Sequence, residues 1–70
     1  MKKIKILIKT EGEFFGYYKD YSIDIHRESP MVFYIIVQGD KGVAYDGYYH
    51  SNKIITMEDA IEEALRGSKI

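Results

Sequence analysis

Seventy residues, 46% of them hydrophobic and 30% charged, make one small globular domain spanning 1–70 and exclude a disordered chain. A formal charge of −1 excludes bulk attraction to nucleic acid, and the absence of cysteine excludes disulfide or thiolate–metal support. A domain of this size buries only about 60% of its unfolded surface, so support from a partner or from a second copy, as a homodimer, is expected.

The chain begins with a basic strand. Ile4, Ile6 and Ile8 alternate with Lys3, Lys5 and Lys9, which places the isoleucines inward and the lysines in an outward ladder. The lysines also interrupt the amino-terminal apolar run, so no secretory h-region forms. No segment approaches the roughly 20 apolar residues of a membrane span. A cytoplasmic chain without membrane contact is expected.

Residues 10–19 hold Gly12, Gly16 and four aromatics in five positions: Phe14, Phe15, Tyr17 and Tyr18. This pattern predicts an irregular connection whose aromatics partly cap the core and partly face water. Tyr21, Ile23 and Ile25 alternate with Ser22, Asp24 and His26 and predict a second strand, with Arg27–Pro30 as the turn after it. Pro30 then opens the longest uncharged run, Met31-Val32-Phe33-Tyr34-Ile35-Ile36-Val37-Gln38, which reads as a central strand apolar on both faces. Gly39-Asp40-Lys41-Gly42 predicts a tight hairpin loop, and Val43–Tyr49 a fourth strand in which Gly47 marks a bulge or close approach.

Thr56 opens the one clear helix. Its hydroxyl and Asp59 three residues later form a variant capping box. Met57, Ala60, Ile61, Ala64 and Leu65 make one apolar stripe, and Glu58, Asp59, Glu62 and Glu63 take the other side. Glu62 and Arg66 are spaced as an i,i+4 pair, and Gly67 is placed to stop the helix.

The expected fold is therefore α+β: a four-stranded, mainly antiparallel sheet with one C-terminal helix packed on one face, in the order β-β-β-β-α. One helix covers one face only. Alternation assigns Met31, Phe33, Ile35 and Val37 to the covered face, and Val32, Tyr34, Ile36 and Gln38 to the open one. Val32, Tyr34 and Ile36, left in water on that face, then form an exposed apolar patch of the kind that marks a partner interface.

His26 and His50 fit no catalytic triad and no H-E-x-x-H pattern, and no metal-ligand spacing occurs. No catalytic residue, metal or cofactor is expected. The favoured reading is a non-enzymatic module that binds a host protein through Tyr34, Ile36, Tyr48 and the helix acids Glu58, Asp59, Glu62 and Glu63, the acids competing with nucleic acid for a basic groove. The alternative is a single-strand nucleic-acid binder that uses Lys3, Lys5, Tyr34 and Tyr48 on the open sheet face. Its β-β-β-β-α order is similar to that of the small dimeric coactivator-type single-strand binders.

Asp46-Gly47-Tyr48-Tyr49, followed by Thr56-Met57-Glu58-Asp59-Ala60-Ile61-Glu62-Glu63-Ala64-Leu65, resembles the D-G-x-Y-Y strand and the capped helix of HicB-family antitoxins over about a third of the chain. That resemblance implies a partner-binding α+β module without activity of its own. At the level of class, a short, cysteine-free, tyrosine-rich chain with an acidic helix also resembles phage-encoded inhibitors of bacterial defence, anti-CRISPR proteins among them. This implies inhibition of a host nucleic-acid-handling protein.

Overall fold

The computed structural model describes residues 3–70. Expectations that rest on Met1 and Lys2, at the start of the basic run, lie outside them. The elements are β1 (Lys5–Lys9), β2 (Glu13–Tyr18), β3 (Tyr21–Ser29), β4 (Val32–Gly39), β5 (Gly42–His50) and α1 (Met57–Ser68). The α+β class and the antiparallel sheet with a C-terminal helix stand, but the sheet has five strands rather than four, ordered β1-β2-β3-β4-β5.

The additional strand is β2, from the stretch expected to be irregular. Tyr18 pairs with Tyr21, so Lys19 and Asp20 form a two-residue turn that the residue types do not advertise, with Lys19 at φ 55°. The next turn is also shorter than expected. Arg27, Glu28 and Ser29 continue β3, and Ser29 pairs with Val32, which leaves Pro30-Met31 as the turn. Met31 is consequently exposed and does not join the covered face. Gly39 pairs with Gly42 across Asp40-Lys41, and Gly42 takes a φ of 123° that a side chain would strain. The irregularity in β5 lies beside Val43 and Ala44, not at Gly47, which pairs regularly with Ile35.

One sheet face is covered. Phe14, Ile23, Ile25, Phe33, Ile35 and Val37 are the most deeply buried large side chains, and Ile55, Met57, Ala60, Ala64 and Leu65 close over them from the helix side. Burial of each of these side chains other than the two alanines is worth roughly 1.5–3 kcal/mol, which makes this layer the main source of stability. Arg27 finishes one end. Its guanidinium lies 4.5 Å from the Phe33 ring centre, while Nε and Nη1 donate to the Glu11 and Pro30 carbonyls at 3.0 and 3.1 Å. β4 is thus buried on one face only, and its other face is half-exposed.

β1 departs furthest from the alternation. Its pairing with β2 slips between Ile6 and Ile8, so Ile6 faces the same side as Gly16, and Ile8 the opposite side with Phe15. A bulge of this kind reverses the facing that strict alternation assigns. Ile6, Leu7 and Ile8 are each about half exposed rather than inward: α1 packs over β4 and β5, reaches β3 and leaves Ile6 at the margin, while Ile8 lies on the open face. The lysine ladder is split by the same slip. Lys5 lies on the open face, whereas Lys9 turns to the helix side and pairs with Glu58 at 2.9 Å.

The helix begins as expected. Thr56 Oγ1 accepts from the Asp59 amide at 3.1 Å, and the Asp59 carboxylate accepts from the Thr56 amide. It does not stop at Gly67. The left-handed capping residue is Lys69, at φ 60°, whose amide donates to the Leu65 carbonyl. Gly67 is inside the helix because the Tyr45 ring lies where its Cβ would be. Alanine there should gain about 1 kcal/mol in helix propensity yet lose more by displacing that ring, for a net destabilisation of about 1–3 kcal/mol in urea unfolding. In a Tyr45→Ala background the same Gly67→Ala change should turn stabilising.

Candidate functional site

The register of the four hairpins places the open-face side chains in rows across the sheet. One row runs Glu13, His26, Tyr34, Tyr48 from β2 to β5. The next runs Ile8, Phe15, Asp24, Ile36, Asp46 from β1 to β5, and a third runs Lys5, Tyr17, Ser22, Gln38, Val43. No element of the described residues packs against these rows, since the only helix lies on the other face.

The sequence-assigned residues Tyr34, Ile36 and Tyr48 are brought together. The Tyr34 and Tyr48 rings lie 4.8 Å apart at 46°, and the Tyr34 hydroxyl donates to Asp46. That hydrogen bond to a carboxylate is the first cause raising the Tyr34 phenol above its ordinary range, so the tyrosine stays neutral and its ring is fixed in place. Phe15 and Tyr17 form a second, edge-to-face pair at 5.4 Å. The apolar band is framed by Glu13, Asp24 and Asp46, against Lys5 as the single lysine in the rows.

The lysines and tyrosines of the nucleic-acid alternative do not meet. Lys5 is three strands from Tyr34 and in a different row, a diagonal of roughly 20 Å at ordinary strand and residue spacings. Lys3 precedes β1. The intervening charged side chains on that face are acidic, which opposes a phosphate backbone.

The helix acids do not form a free cluster either. Glu58 holds Lys9, and that ion pair keeps its carboxyl below the usual range. Asp59 serves the cap. Glu63 points back toward the sheet rather than away from it, with its side chain only 16% exposed, and accepts from the Tyr45 hydroxyl at 2.9 Å. Burial first, then this hydrogen bond, push the Tyr45 phenol up to about 12. Arg66 pairs with Glu63 at i,i+3 and not with Glu62. Of the four, Glu62 alone makes no hydrogen bond or ion pair among the described residues.

A cleft of about 720 Å³ opens between Lys9-Thr10, Arg27 and the start of the helix. Its cationic groups and helix amides are already engaged: Lys9 by Glu58, Arg27 by two carbonyls, and the amides by Thr56 and Asp59. No group of three or more metal-ligating side chains occurs among the described residues, and no helix among them is long and apolar enough to cross a membrane.

Three contributors escaped the sequence reading. Phe15, Asp24 and Glu13 join the face only through the β2–β3 register. The Ser22-Asp24-His26 alternation was the signal available for Asp24, once β3 is known to share its polar side with Ile36. Against family models, curated proteins and solved structures, the chain matches none.

Proposed function

We propose that the chain is a non-enzymatic protein-binding module whose docking surface is the open face of the sheet. The observation that carries this reading is a five-stranded sheet with an aromatic and aliphatic band, Phe15, Tyr34, Ile36 and Tyr48, that nothing in the described residues covers. Tyrosines prepositioned by stacking and by the Asp46 hydrogen bond supply contact area at low entropic cost. The three framing acids favour a partner surface that carries lysine or arginine around an apolar centre. The narrower form of the proposal is an inhibitor, of phage or mobile-element origin, acting on a host nucleic-acid-handling protein, whose basic surface has that character. In it the sheet face, rather than the helix, makes the main contact. A HicB-like antitoxin would use the same kind of partner-binding surface.

The test is affinity capture from host lysate with nuclease present, comparing the wild type with Ile36→Lys, after both are shown to be folded by circular dichroism. The expected result is a discrete protein partner that survives nuclease and is retained at least about tenfold less by Ile36→Lys, the loss of one central contact worth more than about 1.4 kcal/mol. Recovery of nucleic acid only, or equal retention by the two proteins, would refute the reading.

A further inference from the structure

We propose that the free edge of β5 pairs with β5 of a second copy, antiparallel and centred on Tyr48, to give a two-fold dimer with one continuous ten-stranded sheet. The two sheet edges differ in a way that selects this one. β1 carries Lys5 and Lys9 around a mid-strand bulge, and the Leu7-centred antiparallel register would set Lys5 against Lys9 of the other copy. Lysines and bulges are the usual protections of an edge against pairing. β5 has neither lysine nor arginine, and from Tyr45 to His50 it runs six residues without irregularity. Apart from its pairing with β4, no backbone hydrogen bond to residues 43–50 occurs among the described residues.

The strand is also complementary to itself. With Tyr48 on the axis, Asp46 of each copy faces His50 of the other, which places an acid opposite an imidazole twice and brings no like charges together. Gly47 faces Tyr49, whose ring covers the position that lacks a side chain, and the two Tyr48 rings meet at the axis. The helix fits the same arrangement. α1 lies over β4 and β5 and reaches β3, so at about 4.8 Å per strand a β5–β5 junction sets the two helices roughly 10–14 Å apart on the same side of the joined sheet, without a clash. This dimer leaves the open face uncovered, so it stands apart from the protein-binding proposal and would survive its failure.

The chain contains no cysteine, which makes a single introduced thiol an unambiguous reporter. Across the proposed axis the Tyr48 Cα atoms lie about 4.5–5.5 Å apart, inside the range a disulfide spans. Packing of two copies through their open faces would hold the sheets about 10 Å apart, too far for that bond. Tyr48→Cys should therefore oxidise to a linked dimer at least about tenfold faster than Leu7→Cys on the other edge, as expected for an intramolecular-like reaction. Sedimentation equilibrium of the wild type should show a concentration-dependent dimer. Hydrogen exchange of that dimer should protect the β5 amides that do not bond to β4, a readout independent of any substitution. A wild type that stays monomeric at millimolar concentration, unprotected outward β5 amides in the dimer, or equal oxidation rates at the two edges would each overturn the proposal.

Discussion

Replacing Phe33 with alanine should cost about 3–5 kcal/mol and leave little of the native state populated. Phe33, the second residue of β4, is fully buried, paired with Arg27 on one side and Tyr49 on the other. Truncation empties a space that the sheet cannot collapse into, since both flanking strands are fixed by their ladders. It also leaves the Arg27 guanidinium over a void instead of a ring. A small domain has stability near the low end of the usual 5–15 kcal/mol, so a loss of this size approaches the whole. Urea unfolding of the variant should show a midpoint near zero denaturant. Met31→Ala, one turn residue away and exposed, should fall within about 0.5 kcal/mol of the wild type. Equal costs at the two positions would contradict the burial described for Phe33 and the exposure described for Met31.

The second large effect is Leu65→Ala, expected to cost about 2–5 kcal/mol. Leu65 is 5% exposed and closes the layer between α1 and the sheet beside Ala64 and Ala60, which are too small to fill its place. The informative comparison is Ile6→Ala. Alternation in β1 makes Ile6 a core residue, whereas the structure leaves it 50% exposed. It should cost about 0.5 kcal/mol, like other surface changes. Chemical denaturation of both variants separates a helix that holds the core from a first strand that contributes little to it.

These two positions also mark what could be read from the residues. The helix was legible because three independent signals agreed: a Thr56–Asp59 cap, an apolar stripe of period 3.6, and acids on the first turn. The faces of β4 were legible because Tyr34 and Gln38 share one side. β2 was not, since Phe14-Phe15-Gly16-Tyr17-Tyr18 has no polar partner to set its period. Phe14, Gly16 and Tyr18 turn inward only because β3 presents Ile25, Ile23 and Tyr21 opposite them. The slip in β1 had no residue signal at all, as Lys-Ile-Leu-Ile-Lys contains neither glycine nor proline. Of the candidate site, Tyr34, Ile36 and Tyr48 were assigned together correctly in space. Of the helix acids, Glu63 turns toward the sheet and not away from it, which residue type alone does not reveal, because the same residue type caps helices, pairs lysines and accepts from tyrosine. Asp59, Glu58 and Glu63 each do one of these.

Each strand of the sheet is hydrogen-bonded only to the strands that precede and follow it in the chain. Every ladder is therefore closed by a loop of two to four residues, and the entropy lost on closing such loops is small. A nearest-neighbour meander of this kind avoids the long loop closures that slow folding most. It also sets the order of events as the chain is made from its amino end. The hairpins can zip in succession, and α1, which lies last in the sequence, arrives after the sheet is complete. Until it does, Ile23, Ile25, Phe33, Ile35 and Val37 form a bare apolar layer on a finished sheet, and in that interval the nascent chain is most exposed to aggregation and to capture by chaperones.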